Sequence, residues 1–486
     1  MPIATYTHAA GDAFRSLGDY ATGLVTPTVR LGVTGLARSG KTVFITALVH
    51  NLIAGARLPF FDAAAQGRLL RVYLEPQPDD VVPRFEYETH LADLTGAPPN
   101  WPESTRRISQ LRLTLEYAST RFWKRQLGRE RLHIDIVDYP GEWLLDLPLL
   151  RLDYAEWSRN ALAQSRVASR KKAAKAWHQA LASADPAAPA DEVLAAKLAQ
   201  LFKAYLREAR SDRYALSTLP PGRFLMPGDL EGSPALTFAP LDAGGDEADF
   251  ARGTLWAMMA RRYEAYKAHV VRPFFHQHFA RLDRQIVLID VLAALNGGAE
   301  AVNDLERAMT EILECFRTGA NSLWSSLFAP RIDRIVLAAT KADHLHQQSH
   351  DRLEAILARL TGRAMAHAEY AGAEMKVLAM AAVRATREGE AKRGGETLPC
   401  IIGYPLAGET IGRRSFDGNE EFAIFPGDLP KDPDLALKGW HTEHGEMRFV
   451  RFRPPNPVPL PSGGFAPFPN IRLDRAIETL IGDHLA

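Results

Sequence analysis

The sequence is short of cysteine, of net charge and of long apolar runs, and each shortage excludes a class of protein. Its two cysteines, Cys315 and Cys400, lie too far apart to indicate a disulfide framework or a zinc site. Lysine plus arginine number 58, as do aspartate plus glutamate, so no overall field draws the chain to nucleic acid or to an anionic membrane. No apolar run is long enough to span a bilayer, and the amino-terminal segment lacks the pattern of a secretory leader. We therefore expect a cytoplasmic protein.

The order of the periodic segments predicts an α/β protein. Hydrophobic residues make up 46% of the 486 residues, enough for a buried core in roughly two to three domains. Residues 29–34 predict a strand, and a helical pattern begins at Thr42. Two alternating segments, 111–115 and 132–136, predict paired strands. The apolar runs at 285–292 and 334–339 are typical of strands buried on both faces.

Two stretches interrupt this pattern. One is alanine-rich and helical in its periodicity, and the other consists of short runs punctuated by glycine and proline. We therefore predict a core domain in two halves, with a large helical insertion and a small β-rich insertion. The predicted boundaries are 1–147 and 283–396 for the two halves, 148–282 for the helical insertion, 397–469 for the β-rich insertion, and 470–486 for a terminal helix that packs on the core.

A phosphate-binding motif lies between the first predicted strand and the first predicted helix. Residues 35–42, Gly-Leu-Ala-Arg-Ser-Gly-Lys-Thr, satisfy the Walker A pattern G-x-x-x-x-G-K-[ST]. Phosphates need backbone N–H donors at a helix N-terminus, and side chains at the two glycines would obstruct that loop. Lys41 would contact the β- and γ-phosphates, and the Thr42 hydroxyl would ligate magnesium. The residues predicted to line this site are Gly35, Ala37, Arg38, Ser39, Gly40, Lys41, Thr42 and Val43.

A second motif, D-x-x-G, follows the predicted strand at 132–137. Asp138, at the carboxyl end of that strand, can hold magnesium through water, and the N–H of Gly141 can meet a γ-phosphate. Glu142 follows directly, where a group that orients attacking water is often found. The alternative is a solvent-exposed loop glutamate. The sequence thus predicts a catalytic role for Glu142 beside a metal and γ-phosphate sensor.

Two less specific residues complete the predicted phosphate site. Thr105, next to Ser104, precedes the strand beginning at Leu111, which is the topological place for a residue that closes over magnesium. A plain loop is the alternative for this segment. Arg38, inside the phosphate loop, can supply positive charge to the transition state, although its side chain can equally point to solvent.

The third and fourth motifs predict a base-reading element. Residues 340–343, Thr-Lys-Ala-Asp, match [NT]-K-x-D, and the Asp343 carboxylate can accept two hydrogen bonds from guanine, which adenine cannot offer in that arrangement. The stem of Lys341 would lie over the base. The alternative is that Asp343 caps a helix. A backbone amide in residues 380–383 can contact the guanine oxygen. The residues predicted to bind the base are Thr340, Lys341, Asp343, Ala382 and Val383.

The order of these motifs at strand ends resembles that of the Ras-like, translation-factor-related GTPase superfamily. The fuller pattern, GLARSGKT, VDYPGEWLLDLPL, TKADH, AAVRAT and FPNIRLDRAIETLIGD, resembles the bacterial YcjX family of stress-associated P-loop proteins along nearly the whole chain. The resemblance implies a P-loop NTPase core of the Ras-like type, GTP or GDP with Mg²⁺ as ligands, and a tie to envelope or heat stress. Two residues depart from the Ras pattern. Ala37 stands where Ras proteins have a glycine, and Glu142 replaces their water-orienting glutamine, which argues against a Ras-type activator mechanism.

Two functions are compatible with this site. The first is magnesium-dependent hydrolysis of GTP to GDP and phosphate, slow without an activator. The second is a nucleotide-gated binding module in which hydrolysis is vestigial and the helical insertion engages a protein partner. The base-reading motif disfavours a third function, that of a small-molecule kinase.

A basic cluster within the predicted helical insertion raises the question of a further partner. We interpret it as a solvated helix face, because no aromatic residues are interleaved with it and no global positive charge accompanies it. Contact with an anionic membrane surface or with nucleic acid is the alternative, although no specific nucleic-acid partner is predicted. The cluster consists of Arg166, Arg170, Lys171, Lys172 and Lys175.

Overall fold

A computed structural model gives the fold of most of the chain. The residues that it describes are 26–36, 38–105, 107–120, 129–211, 216, 220–227, 230–244, 250–315, 332–370, 373–393, 396–411, 413–438 and 449–486. Ala37, predicted to line the phosphate site, lies outside the described residues.

The centre of the molecule is a mixed sheet of seven strands, most of them parallel. The strands are β1 Thr28–Gly35, β2 Leu69–Glu75, β3 Ser109–Tyr117, β4 Glu130–Asp138, β5 Arg284–Ile289, β6 Arg334–Ala339 and β7 Glu374–Ala379. Their order across the sheet is β2-β3-β4-β1-β5-β6-β7. Strands β4, β1, β5, β6 and β7 run parallel, whereas β3 is antiparallel to β4 and β2 is antiparallel to β3. The predicted α/β class with a parallel-rich sheet is confirmed.

The register of the sheet explains two sequence patterns. Leu111, Leu113 and Leu115 of β3 pair with Ile136, Ile134 and Leu132 of β4, so the two alternating segments are neighbouring strands as predicted. Along β5, Ile286 and Leu288 enter the core on one face of the sheet, whereas Val287 and Ile289 enter the core on the other. Because both faces are buried, residues 286–289 of the strand form an uninterrupted apolar run.

The parallel strands also end together. The register places Val33 beside Asp138, Gly35 beside Leu288, Ile289 beside Ala339, and Ala339 beside Ala379. The loops that follow β1, β4, β5, β6 and β7 therefore share one edge of the sheet. Ligands of open α/β sheets bind outside the carboxyl ends of the strands, and the predicted motifs lie in these loops.

Helices cover both faces of the sheet. They are α1 Lys41–Ile53, α2 Asp62–Ala65, α3 Tyr87–Thr95, α4 Tyr154–Ser165, α5 Ala168–Lys171, α6 Lys175–Leu181, α7 Glu192–Ala209, α8 Gly222–Leu225, α9 Leu255–Tyr266, α10 Arg272–Gln277, α11 Val291–Asn296, α12 Ala299–Cys315, α13 His350–Tyr370, α14 Pro433–Leu437 and α15 Leu473–Ile481. A π-helical turn, Lys267–Val271, joins α9 to α10. Short 3₁₀ helices are Gly141–Arg151, Pro234–Leu236, Phe279–Arg281, Ala342–His344, Gln347–Ser349 and Gly482–Leu485. Within the described part of the chain, no helix is long and apolar enough to cross a membrane.

The stretch between β4 and β5 is helical and packs on the sheet through an aromatic core. Trp157 of α4 stacks on Tyr263 of α9 with ring centroids 5.0 Å apart. Both belong to one buried cluster that also contains Val137 of β4 and Val287 of β5. Asp191 starts α7 by accepting hydrogen bonds from the first free N–H groups of that helix. The domain boundaries at 147, 282, 396 and 469 stay predictions.

Residues after β7 form a small antiparallel sheet. Its strands are β8 Arg387–Arg393, β9 Glu396–Gly403 and β12 Phe422–Ile424, in the order β12-β9-β8, with a separate pair formed by β10 Thr410–Ile411 and β11 Arg414–Ser415. The antiparallel sheet begins ten residues before position 397, where we placed the β-rich segment. Ile401, Phe416, Ile424, Val450 and Phe452 form its own buried cluster.

The basic cluster between α4 and α6 is not a uniform solvated face. The side chain of Arg170 is buried and pairs with Asp304 of α12, so the interpretation as a solvated face is wrong for this residue. A buried guanidinium requires such a charged partner. Arg166 is exposed and pairs with Asp242 at 2.7 Å, and Lys171 and Lys175 are exposed.

Candidate functional site

The loop after β1 has the geometry of a phosphate cradle. Gly40 precedes α1 with φ 82°, a left-handed conformation that favours glycine. Gly35 is packed so closely that a Cβ atom would lie 2.0 Å from the Ser39 Oγ and 2.8 Å from the Leu288 carbonyl oxygen. The loop then leads into the N-terminus of the 13-residue helix α1, whose first N–H groups have no partner within the helix. Lys41, Thr42 and Val43 lie in that first turn, so α1 begins one residue before the predicted start at Thr42.

Three predicted residues meet beside this loop. The Lys41 Nζ donates a hydrogen bond to the Thr105 Oγ1 at 2.7 Å and forms an ion pair with Asp138. The Thr105 hydroxyl donates to the other Asp138 carboxylate oxygen at 2.6 Å. Asp138 is almost fully buried, with 1% of its side chain exposed, and a buried carboxylate needs such partners to offset the cost of its burial. Thr105, 33 positions before Asp138 in the chain, therefore lies beside the loop after β1.

The oxygen atoms of this group match the ligand preference of Mg²⁺. Thr42 and Thr105 line the same cavity, and Asp138 adds a carboxylate, so hydroxyl and carboxylate oxygens are both available. The described residues contain no group of three or more His, Cys, Asp or Glu side chains that would hold a metal. A magnesium ion at this position would therefore depend on these hydroxyls, one carboxylate and the oxygens of a bound phosphate.

The D-x-x-G loop packs directly on the phosphate loop. A Cβ atom on Gly141 would lie 2.0 Å from the carbonyl oxygen of Gly35, so glycine is required by close backbone approach. Glu142 is buried, and its carboxylate pairs with Arg210, the residue that directly follows α7. The alternative of a solvent-exposed loop glutamate is therefore wrong. Arg210 was missed at the sequence level, because nothing in a helical, alanine-rich stretch distinguishes it from other surface arginines.

The helical stretch holds the chain after Glu142 in place through a buried carboxylate. Asp146 accepts hydrogen bonds from the Gly222 N–H at 2.6 Å and from the Tyr266 hydroxyl at 2.5 Å. Burial raises the pKa of Asp146 to about 6, against the lowering effect of these hydrogen bonds. A Cβ atom on Gly222 would lie 1.8 Å from the Glu142 carbonyl oxygen. The D-x-x-G segment is thus enclosed between the phosphate loop and α8.

The predicted base-reading residues lie in the loops after β6 and β7. Lys341 has φ 62°, and its ammonium group pairs with Asp290, which follows β5. The buried Asp343 carboxylate accepts a hydrogen bond from the Ala385 N–H at 2.9 Å. The Ala342 N–H donates to the Met380 carbonyl oxygen at 3.2 Å, which joins the two loops.

The other residues predicted to bind the base lie in or beside the same two loops. The Thr340 N–H donates to the Ile289 carbonyl oxygen at 2.9 Å, Val383 is buried in a cluster with Phe468, and Ala382 is half-buried beside it. The structure therefore brings the predicted base-reading residues together. Asp290, which pairs with Lys341, was interpreted as part of an apolar run and was missed.

Two adjoining cavities follow this edge of the sheet. The smaller, of about 70 Å³, is enclosed by the phosphate loop, Thr105, Glu142 and Arg210. The larger, of about 310 Å³, extends from Arg38, Glu142 and Arg210 to Lys341. Arg38 lines both, although much of its side chain is exposed. The two cavities share Arg38, Glu142 and Arg210, and we refer to them together as the cleft; of the predicted base-reading residues, Lys341 lines it.

Comparisons with known proteins agree with this arrangement. The model of the YcjX-like family, DUF463, matches residues 29–485. A protein named Ras-like GTPase YcjX from Escherichia coli (strain K12) is 40% identical over 466 residues, which cover 94% of this chain and 96% of the relative. A protein of the same name from Shewanella oneidensis is 34% identical over 480 residues, which cover 94% of each. A family match of this extent, together with relatives this similar over almost their full length, shows that the chain belongs to the YcjX-like family.

Proposed function

We propose that the chain binds guanine nucleotide along this cleft and hydrolyses GTP to GDP and phosphate in the presence of Mg²⁺. The observation that carries the proposal is the contact of Lys41 with Thr105 and Asp138 at a helix N-terminus. These residues lie beside a loop whose glycine Gly35 is too closely packed to carry a side chain. These are the parts that phosphoryl transfer requires: a cradle of N–H donors, a lysine for the β- and γ-phosphates, and oxygen ligands for magnesium. The relatives that are named Ras-like GTPases support it.

The proposed roles follow the position of each residue. The backbone of Gly35 and Ser39 to Val43, with Ala37 and Arg38, would surround the phosphates. Thr42 and Thr105 would supply hydroxyl ligands to Mg²⁺, which would neutralise phosphate charge when bound, and Asp138 would orient its water. Gly141 would offer its N–H to the γ-phosphate. Lys41, Glu142 and Arg38 are the proposed catalytic residues.

Selection of guanine is proposed to rest on Asp343. An ionised carboxylate has about four lone-pair positions, so the hydrogen bond from the Ala385 N–H leaves acceptor capacity for the guanine N1–H and amino group. Lys341, Thr340 and the backbone of Ala382 and Val383 would complete the base site. A cytoplasmic location, a switch function in the bacterial stress response, and a protein partner for the helical stretch stay predictions.

The test combines nucleotide content with turnover. Protein purified without added nucleotide is denatured and its released nucleotide identified by chromatography; guanine nucleotide is expected. Phosphate release from GTP is then followed over several turnovers for the wild type and for Lys41→Ala, which is expected to lose tight GTP binding. A wild type that binds GTP tightly but releases no phosphate would favour the nucleotide-gated binding module. Adenine nucleotide alone, or unchanged GTP affinity in folded Lys41→Ala, contradicts the proposed site.

A further inference from the structure

A further cavity lies apart from the cleft, between the sheet and the end of the helical stretch. Its volume is about 1020 Å³, at the upper end of the range of about 300–1,000 Å³ that ligand sites have. None of the described residues that line it also lines either cavity of the cleft. We call it the arginine cavity after four of its lining residues, Arg30, Arg107, Arg223 and Arg281.

The alternation along β1 directs Arg30 into the arginine cavity. Val29 and Leu31 enter the core on the face of the sheet that α1 covers, so the residue between them points to the opposite face, which the helical stretch covers. The Nε–H of Arg30 is buried there and has no hydrogen-bond partner among the described residues. A buried donor without a partner destabilises a protein and is rare in native structures. An acceptor from a ligand would satisfy this group.

The carboxylates around Arg30 have other partners. Burial lowers the pKa of Arg30, and three nearby carboxylates counter that effect. Asp135 accepts two hydrogen bonds from Arg112, at 2.7 and 2.8 Å. Asp283 accepts one from the backbone N–H of Arg30 at 2.9 Å, and Asp79 accepts one from a backbone N–H of its own loop at 3.0 Å. The Nε–H of Arg30 takes part in none of these contacts, so this donor stays available to a ligand.

Positive charge outweighs negative charge around the arginine cavity. Against its four arginines stand two aspartates, Asp79 and Asp80, and Asp80 is exposed. Burial, and after it the positive charge of Arg30, lower the pKa of His278 to about 4, and Arg281 acts in the same direction. Like charges gathered in a partly buried site repel one another unless an anion lies between them. The cavity therefore favours a ligand with negative charge.

Much of the remaining wall is apolar. Val82, Val270 and Phe274 are buried residues that line the cavity. The ring of Trp143 meets Phe274 edge to face, with centroids 5.5 Å apart, and the Arg223 guanidinium lies 3.1 Å from the centroid of the Trp143 ring. Ligand sites commonly combine such an apolar wall with a few polar groups that fix orientation. The wall is therefore suited to an apolar body attached to the anionic group.

We propose that the arginine cavity binds a small organic anion, whose phosphate or carboxylate group accepts hydrogen bonds from Arg30 and whose apolar body lies against Phe274. A guanidinium matches both anionic groups, because its N–H donors form a planar fork. Burial of the apolar body adds affinity that a bare anion would lack. This site lies outside the cleft, so the proposal does not depend on GTP binding or hydrolysis.

The ligand class is tested by calorimetric titration of the full chain with naphthyl phosphate and with naphthoate. Neutral naphthol and inorganic phosphate are the controls, because each offers only one part of the expected ligand. At least one of the two aromatic anions should bind more tightly than both controls, and the tighter anion identifies the preferred group. Equal binding of either control, or no binding of either aromatic anion, overturns the proposal. The titrations are repeated with GDP and Mg²⁺; an aromatic anion that GDP displaces occupies the cleft, which also overturns it.

The decisive variant is Arg30→Met, with Arg71→Met as its matched control. Arg71 lies on strand β2, is exposed, and is not among the residues that line the arginine cavity. Arg30→Met should weaken binding of the aromatic anion by roughly tenfold or more, because a hydrogen bond to a charged group is lost. Arg71→Met should bind it like the wild type. Without ligand, Arg30→Met should unfold at a temperature no lower than the wild type, since it removes a buried donor that lacks a partner.

Arg281→Ala provides a second variant whose folding is not in question. Arg281 lines the arginine cavity but is exposed, and exposed side chains seldom contribute much to stability. Its loss should weaken anion binding by less than the loss of Arg30, because an exposed charge is screened by solvent. Unchanged affinity in Arg30→Met and Arg281→Ala refutes the site. A lower unfolding temperature of ligand-free Arg30→Met would show that Arg30 serves the fold and would likewise overturn the inference, whereas GTP hydrolysis would stand in either case.

Discussion

Replacing Gly141 by alanine tests the contact on which the site depends. The new Cβ would lie 2.0 Å from the carbonyl oxygen of Gly35 and 2.5 Å from its carbonyl carbon. Heavy atoms in contact normally stay about 3.5 Å apart, so one of the two loops has to move by more than about 1 Å. Neither can move at low cost, because both atoms are backbone and Gly35 is itself packed against Leu288.

The expected magnitude follows from that overlap. Inserting a methyl group into a filled site costs about 1–3 kcal/mol of stability, and here the strain falls on the phosphate loop itself. Gly141→Ala should therefore unfold at a lower temperature and bind GDP more weakly than the wild type. The assay is thermal unfolding without nucleotide, followed by calorimetric titration with GDP.

Gly362→Ala is the matched control. Gly362 lies in α13, and a Cβ atom there meets nothing within 4 Å. Alanine is favoured over glycine in a helix interior by about 1 kcal/mol, so this variant should unfold at a higher temperature with unchanged GDP affinity. If Gly141→Ala matches the wild type in both measurements while Gly362→Ala shows its expected gain, the close packing of the two loops is refuted.

Three further predictions follow from buried charges. Asp343→Asn should weaken GTP binding by about 1–3 kcal/mol, because an amide places donors where guanine and the Ala385 N–H need acceptors. Calorimetry should show that the GTP and ATP affinities of the variant converge. A wild type that binds ATP as tightly as GTP contradicts the role of Asp343 in selecting guanine. Asp138→Ala should make GDP binding less dependent on Mg²⁺, since it removes the carboxylate proposed to orient the water on that ion; an equal effect of Mg²⁺ on GDP affinity in wild type and variant would contradict this role. Burial, and after it the positive charge of Arg30, lower the pKa of His278 to about 4. As the pH falls, His278 is therefore protonated in the unfolded chain before it is protonated in the folded chain. The stability that is present above about pH 6.5 should therefore be lost as the pH falls toward 4. In His278→Gln the unfolding temperature should depend less on pH over this range, and the same pH dependence as in the wild type would disprove the prediction.

The elements that the sequence predicted well are those whose signal is local. The run at 334–339 is apolar because β6 is buried on both faces, and the alternation at 111–115 reflects one strand of an antiparallel pair. The phosphate loop is equally local, since strand, glycines and helix follow one another directly. These patterns arise from backbone geometry and burial within a few residues, so one sequence is enough to identify them.

Strand β8 has no local sequence signal of this kind. Residues 387–393, Arg-Glu-Gly-Glu-Ala-Lys-Arg, have no alternating apolar residues, and the strand forms because it pairs with β9. Strand formation depends strongly on the neighbouring strand. The same limit applies to Asp290 and Arg210, whose partners Lys341 and Glu142 lie 51 and 68 positions away in the chain. No local pattern carries such contacts.

The pair formed by Glu142 and Arg210 also gives a physical reason for the departure from the Ras pattern at this position. A glutamine is neutral, so it could bind the guanidinium but not balance its charge beside Arg38 and Arg451. Glutamate balances that charge, so an acidic residue and not a neutral one is expected opposite Arg210. The negative residue at position 142 thus follows from the position of the positive residue Arg210 that it pairs with.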